Sequence, residues 1–303
     1  MLISLCSLIW IVCSVWVLLG LLFYSFPEYS PAAILDLYTY GKIRDTKSKV
    51  SVTERLLLPK SWFAHFYLSG VICVTTLLCL CLNVTCLGGD LPAVLGTVVN
   101  ILRNQAKESY GDAFSNLIVL VCADVQVTRR FLECLTVSVY SPDGKISILV
   151  YIVGVTFYGA LPLSSLAGTD YSRSISGTDA LSLLRWHHLL GVLLFLWASY
   201  QQNRTAHLFA KLRQDKSGNV ENTRHHIPRG GLFEYVSCPH YFVEILIYLS
   251  FNVIFAFRNA MMFWLFVFVL VNQVITGHFS HQWYKKTFKS YPKDRKSTIP
   301  FVF

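Results

Sequence analysis

Ile227-Pro-Arg-Gly-Gly-Leu-Phe-Glu-Tyr-Val-Ser-Cys-Pro-His-Tyr-Phe-Val-Glu244 runs from a basic, soluble-looking segment straight into an apolar one. Pro228 fixes φ and Gly230-Gly231 admit φ > 0, so the stretch predicts a turn. Glu234, His240 and Glu244 then carry ionisable groups to, and into, a membrane interface. Glu234 reads equally as a solvated loop acid and His240 as an interfacial residue. Glu244 sits inside Tyr-Phe-Val-Glu-Ile-Leu-Ile-Tyr, where a carboxylate is costly unless paired or functional.

Outward from this stretch the chain is apolar almost end to end. It is 54% hydrophobic and 14% charged, well below the quarter charged residues usual in soluble domains. The reading is an all-α, polytopic membrane protein forming one domain over residues 1–303. Seven apolar runs predict about seven transmembrane helices: 2–24, 62–87, 114–139, 146–166, 181–200, 241–257 and 261–276. The first run lacks the charged start and small-residue cleavage site of a signal peptide and reads as a retained helix. The polar segment before Lys60 predicts an amphipathic re-entry.

Sorting the 26 Lys and Arg by side places 21 on the face reached after spans one, three and five and by the tail, and 5 on the other. That asymmetry predicts a cytosolic C-terminus. The net charge of +9 then reads as cytosolic loops facing anionic lipid or an anionic cofactor. No nucleic acid and no obligate protein partner is expected. Nine cysteines without a C-x-x-C pair support neither a disulfide framework nor a metal site, and read as packing residues.

The third run carries Asp124, Arg129, Arg130 and Glu133 among Leu, Val and Phe. Arg130 and Glu133, three apart on a helix, share a face and can pair. The tail, Ser280-His-Gln-Trp-Tyr-Lys-Lys-Thr-Phe-Lys-Ser-Tyr-Pro-Lys-Asp-Arg-Lys296, interleaves basic and aromatic residues. Such a pattern suits phosphates with an adenine ring, and suits a juxtamembrane lipid contact equally well. No strand-associated G-x-G-x-x-G, P-loop, H-E-x-x-H or G-x-S-x-G is present, so a nucleotide would bind otherwise than on a Rossmann crossover.

Tyr291-Pro-Lys-Asp-Arg-Lys-Ser-Thr-Ile-Pro-Phe-Val-Phe303 and Ile227-Pro-Arg-Gly-Gly-Leu-Phe-Glu-Tyr-Val-Ser237 resemble the steroid 5α-reductase family. Ser280–Tyr284, Arg129–Val139 and Pro59–Tyr67 resemble its polyisoprenoid-reducing branch. The resemblance implies a reductase of the endoplasmic reticulum membrane that takes NADPH from the cytosol. It would reduce a double bond in a polyisoprenoid lipid buried in a cavity between the helices of residues 1–140. Residues 200–303 would form the cofactor half. Carried over residue by residue, Arg130, Glu244, Tyr284 and Arg295 match cofactor-binding positions, as do Arg213 and Tyr235. His281 and Lys293 belong to the same tail set. His240 replaces the asparagine of the steroid-reducing members, and Gln126 stands where the branch is expected to carry a histidine. The family's proton donors do not transfer directly. His65 and Tyr67 are the nearest titratable groups; two apart, they point to different helix faces.

Other readings stay open: a steroid enone or enoyl thioester as substrate, a methyltransferase of the isoprenylcysteine type, or a transporter, for which no internal repeat speaks. Within the reductase reading, hydride needs an electron-poor carbon. An allylic alcohol offers none, whereas the α,β-unsaturated aldehyde does, so the aldehyde is the expected direct substrate.

Overall fold

The computed structural model describes residues 2–30, 57–171, 181–215 and 217–303. Most of the expected amphipathic re-entry before Lys60 lies outside the described residues. Among the described residues, eight α-helices carry the fold: α1 (Leu5–Ser25), α2 (Phe63–Cys86), α3 (Ala93–Arg103), α4 (Ala113–Thr136), α5 (Ile148–Ala167), α6 (Trp186–Lys211), α7 (Pro239–Ile254) and α8 (Ala260–Thr287). All but the short α3 fall on the seven apolar runs. Four of them, α1, α2 (with the turn before it), α5 and α8, are long and apolar enough to cross a membrane. The other three fall short for physical reasons. α7 has 16 residues, and α4 and α6 are diluted by polar side chains that turn out to face one another.

Caps set the helix starts. Asp112 accepts the Ser115 amide at 2.8 Å to open α4, and Asn259 accepts that of Met262 at 3.0 Å to open α8. At α6, the Arg185 amide donates to His188 Nδ1 at 3.1 Å, so the helix begins at Trp186 rather than Leu181. Its far end overruns expectation. Gln201, Gln202 and Asn203, read from sequence as the start of a loop, continue the helix to Lys211. α8 likewise runs eleven residues past Thr276, so His281 and Tyr284 are helical.

Two small sheets mark the two ends of the bundle. β1 (Leu57–Pro59) pairs antiparallel with β3 (Lys145–Ser147), joining the starts of α2 and α5. β2 (Gly111–Asp112) pairs parallel with β4 (Thr169–Asp170), joining the start of α4 to the end of α5. Consecutive long helices therefore alternate in direction. α1, α4, α6 and α8 finish at the end where α2, α5 and α7 begin. α6 packs most extensively on α7, α2 on α4 and α5, and α1 on α8. The outward faces of α1, α2, α5 and α6 remain apolar and exposed, with Val12, Ile72, Val153 and Leu193 each more than half accessible. Such surfaces suit lipid rather than water.

The C-terminal tail folds back onto the opening stretch. Val236 bridges Lys296 in parallel, with Ser237 N donating to Lys296 O at 2.8 Å and Lys296 N to Tyr235 O at 2.9 Å. The expected turn is present. Gly230 and Gly231 have φ of 88° and 57°, a region open to glycine without strain.

Candidate active site

Three of the four charges expected inside the third span, Arg129, Arg130 and Glu133, face the bundle and build a continuous polar network, while Asp124 accepts from Thr75 Oγ1 on α2 at 2.5 Å. Arg130 Nη1 and Arg129 Nη1 both donate to Glu133, one to each carboxylate oxygen. Asn203 Nδ2, from α6, adds a third donor at 2.8 Å. Glu133 is 3% exposed, so two guanidiniums share one buried carboxylate. This pairing bears out the three-residue spacing of Arg130 and Glu133.

The network continues through neutral amides. Arg129 Nη2 donates to Gln126 Oε1 at 2.6 Å and to Gln202 Oε1 at 2.5 Å. Gln126 Nε2 also donates to Gln202 Oε1, at 2.8 Å, and Gln202 Nε2 donates to Glu244. On the other flank, Arg130 Nε and Nη2 each stand 3.4 Å from Tyr67 Oη. The Arg130 guanidinium carbon lies 5.1 Å from the centre of the Tyr67 ring, a cation–π distance. One connected set thus runs from Glu244 on α7 to Tyr67 on α2, by way of α6 and α4. Beyond Tyr67 the surroundings become aromatic, beginning with Tyr158 at 5.1 Å between ring centres. An open cleft of about 620 Å³ beside the network is lined by Thr128, Arg129, Leu132, Glu133, Asn203 and His207, among others.

A second cluster gathers where the tail meets the opening stretch, at the same end of the bundle. Ser237 Oγ lies 2.6 Å from both His281 Nδ1 and Tyr291 Oη. Tyr284 and Tyr291 stack with ring centres 5.3 Å apart at an interplanar angle of 12°. Burial pushes the Tyr291 phenol above its ordinary pKa, against the pull of Ser237 and Arg295, so it keeps its proton. Arg295 is 3% exposed. It lies 5.3 Å from the Tyr291 ring centre, and its Nη1 donates to Pro228 O at 3.1 Å. Among the described residues its Nε and Nη2 are buried without a hydrogen-bond partner, with the Glu234 carboxylate no nearer than 4.0 Å. A buried guanidinium edge left open is costly, and its geometry fits a phosphate.

The remaining candidates lie around these clusters. Arg213 reaches across to Val139 O at 2.5 Å, and burial holds its pKa below the usual guanidinium range. The His240 ring packs against Phe209 at 5.1 Å and Tyr241 at 4.0 Å. Tyr235 is half-exposed beside Phe301, and Lys293 is exposed. His65 and Tyr67 do point to different faces. His65 is exposed, with Nδ1 3.1 Å from Tyr151 Oη, whereas Tyr67 turns inward to Arg130.

Sequence reading passed over Gln202, Asn203, Ser237 and Tyr291. The signal available for the first two was the Gln-Gln-Asn run continuing the α6 helical period; Ser237 and Tyr291 lie in the two stretches that carry the family resemblance, where neither stood out from its neighbours.

The family described as 3-oxo-5-alpha-steroid 4-dehydrogenase matches residues 146–303, which include α5 to α8 and the tail. A polyprenal reductase of Danio rerio is 33% identical over 299 residues, covering 95% of this chain and 96% of the relative. Those of Xenopus tropicalis and Homo sapiens are 35% and 36% identical, covering 88% and 90% of this chain and 87% and 86% of the relatives.

Proposed function

This chain belongs to the 3-oxo-5-alpha-steroid 4-dehydrogenase family, that of the steroid 5α-reductases, and we propose that it reduces the α-isoprene double bond of polyprenal with NADPH. It is an oxidoreductase acting on a CH–CH group. The observation that carries the reading is the unbroken set of contacts from Glu244 to Tyr67, which joins a cofactor-side carboxylate to a phenol against an apolar interior.

NADPH, when bound, supplies the hydride; orientation, phosphate binding and the proton belong to the protein. The open edge of Arg295 takes a phosphate, beside the stacked Tyr284–Tyr291 pair and His281. Lys293, Arg213, His240 and Tyr235 border that site. Glu244, held by Gln202, orients the nicotinamide end. Tyr67 gives the proton to the α-carbon, with the Arg130 cation opposing the charge that develops on the phenol oxygen. His65, turned outward, takes no part. Residues 1–140 enclose the isoprenoid chain, where burial at about 0.8 kcal/mol per CH₂ supplies affinity, and residues 200–303 hold the cofactor. Seven helices cross the endoplasmic reticulum membrane with the C-terminus in the cytosol, and the product serves dolichol synthesis and protein N-glycosylation.

The aldehyde is the direct substrate because only a carbonyl-conjugated alkene accepts hydride to give a stabilised enolate; the name of the three relatives agrees. The test uses purified protein, NADPH, and polyprenal or polyprenol separately, with no dehydrogenase present. Turnover of polyprenal alone is expected, and comparable turnover of polyprenol would refute the assignment.

A further inference from the structure

Of the groups assigned a role above, Glu133 hydrogen-bonds only Arg130, yet it is among the most constrained side chains of the network. Its two oxygens receive Arg129, Arg130 and Asn203, from two helices, at 3% exposure. Three donors converging from different directions leave a carboxylate no alternative rotamer that keeps them all satisfied. Arg130 is bound by Glu133 through Nη1. A guanidinium is planar and rigid, so fixing one nitrogen and the plane fixes where the opposite edge points. That edge, Nε with Nη2, is the one set symmetrically at 3.4 Å and 3.4 Å from Tyr67 Oη.

We propose that Glu133 is a positioning residue for proton delivery: it clamps Arg130 so that the guanidinium edge stays against the Tyr67 hydroxyl. The inference rests on Tyr67 as the acid. In the step it serves, a hydride adds to the β-carbon of the enal and an electron pair moves onto the carbonyl oxygen. The enolate then forms a C–H bond at its α-carbon as the Tyr67 O–H breaks, and solvent returns the proton to the phenolate. Arg130 opposes the phenolate charge only if its edge is held in place, because a buried cation free to turn would pair with Glu133 alone. Asn203 and Arg129 prevent this by fixing the carboxylate itself. Glu133 therefore acts through Arg130 and touches neither substrate nor cofactor.

The experiment is a double-mutant cycle in the full-length protein, with Glu133→Gln, Tyr67→Phe and the double variant. The readouts are polyprenal turnover, NADPH affinity by calorimetry and the solvent deuterium isotope effect on kcat. Glu133→Gln should lower kcat roughly ten- to hundredfold. It should leave NADPH affinity near wild type and enlarge the solvent isotope effect, since proton transfer becomes slower. Added to Tyr67→Phe, it should cause little further loss. Independent, multiplying losses, or a fall in NADPH affinity matching that in kcat, would overturn the clamp while leaving Tyr67 in place. An active Tyr67→Phe would instead remove the acid itself. If Glu133→Gln does not fold, Glu133→Asp, which keeps the charge but draws it back by one methylene, should show the same non-additivity.

Discussion

Gln202 donates its side-chain amide to the carboxylate of Glu244 across the interface between α6 and α7. The glutamine is 5% exposed and committed elsewhere, its carbonyl receiving Gln126 and Arg129. The Glu244 carboxylate is thus approached by a fixed donor on one side and remains available to a ligand on the other.

Glu244→Gln should accordingly leave a folded protein, since the new amide can still accept from Gln202, and weaken cofactor use. Loss of a charged hydrogen-bond acceptor costs about 1.5–3 kcal/mol, or roughly ten- to hundredfold in kcat/KM for NADPH. Steady-state kinetics on purified protein with intact thermal unfolding checks this. A wild-type cofactor KM and kcat would sink the role of Glu244.

Arg295 offers a second, independent handle on the cofactor. Arg295→Ala removes the buried edge and should raise the NADPH KM far more than the lipid KM. Arg295→Lys should recover only part of the loss, because a lysine ammonium cannot form a two-pronged contact. Equal rises in both constants, or release from membranes with unchanged kinetics, would turn the tail back into a lipid contact.

How far these groups could be read from sequence depends on what signal each left. Arg130, Glu133 and Glu244 stood out because charge inside an apolar helix is rare and demands a partner. Gln202 and Asn203 are neutral and follow an apolar run, so they looked like the beginning of a loop. Only the packing of α6 on α4 and α7, which gives their amides partners, keeps them helical. The tail was legible as basic and aromatic but not as folded back. Its pairing of Val236 with Lys296 spans sixty residues, and strand register at that separation leaves no local trace. Each of the seven apolar runs holds a helix, but only four of these are long and apolar enough to cross a membrane, and α4 and α6 fall below that apolarity because their polar faces are turned to each other.

The docking of that tail makes a stability prediction at a position with no chemistry. A Cβ on Gly277 would collide with Thr298 Oγ1, and Thr298 is fully buried three residues beyond Arg295. Gly277→Ala should therefore lift the tail off α8 despite alanine's better helix propensity. Overpacking of this kind costs about 1–3 kcal/mol. A lower melting temperature with weakened NADPH binding and a near-normal lipid KM is expected. A variant as stable as wild type, with unchanged cofactor affinity, would show that the tail is not held by this contact.

The sharpest contrast is between two titratable neighbours on α2. Tyr67 faces Arg130 and the aromatic interior, while His65 is exposed and shares its Nδ1 with Tyr151. A general acid must lie within reach of the atom it protonates, directly or through one water, and its positioned proton contributes roughly 10²–10⁴-fold. Tyr67→Phe deletes one oxygen from a well-packed site, so the fold and NADPH affinity should survive while kcat falls by that factor. His65→Ala removes a side chain from the exposed face and should change kcat by less than about threefold, within the range of surface substitutions. The two variants are best compared by single-turnover reduction of polyprenal with saturating NADPH, which isolates the chemical step from product release. A large loss in His65→Ala beside an active Tyr67→Phe would reverse the assignment and require α2 to rotate when the lipid binds.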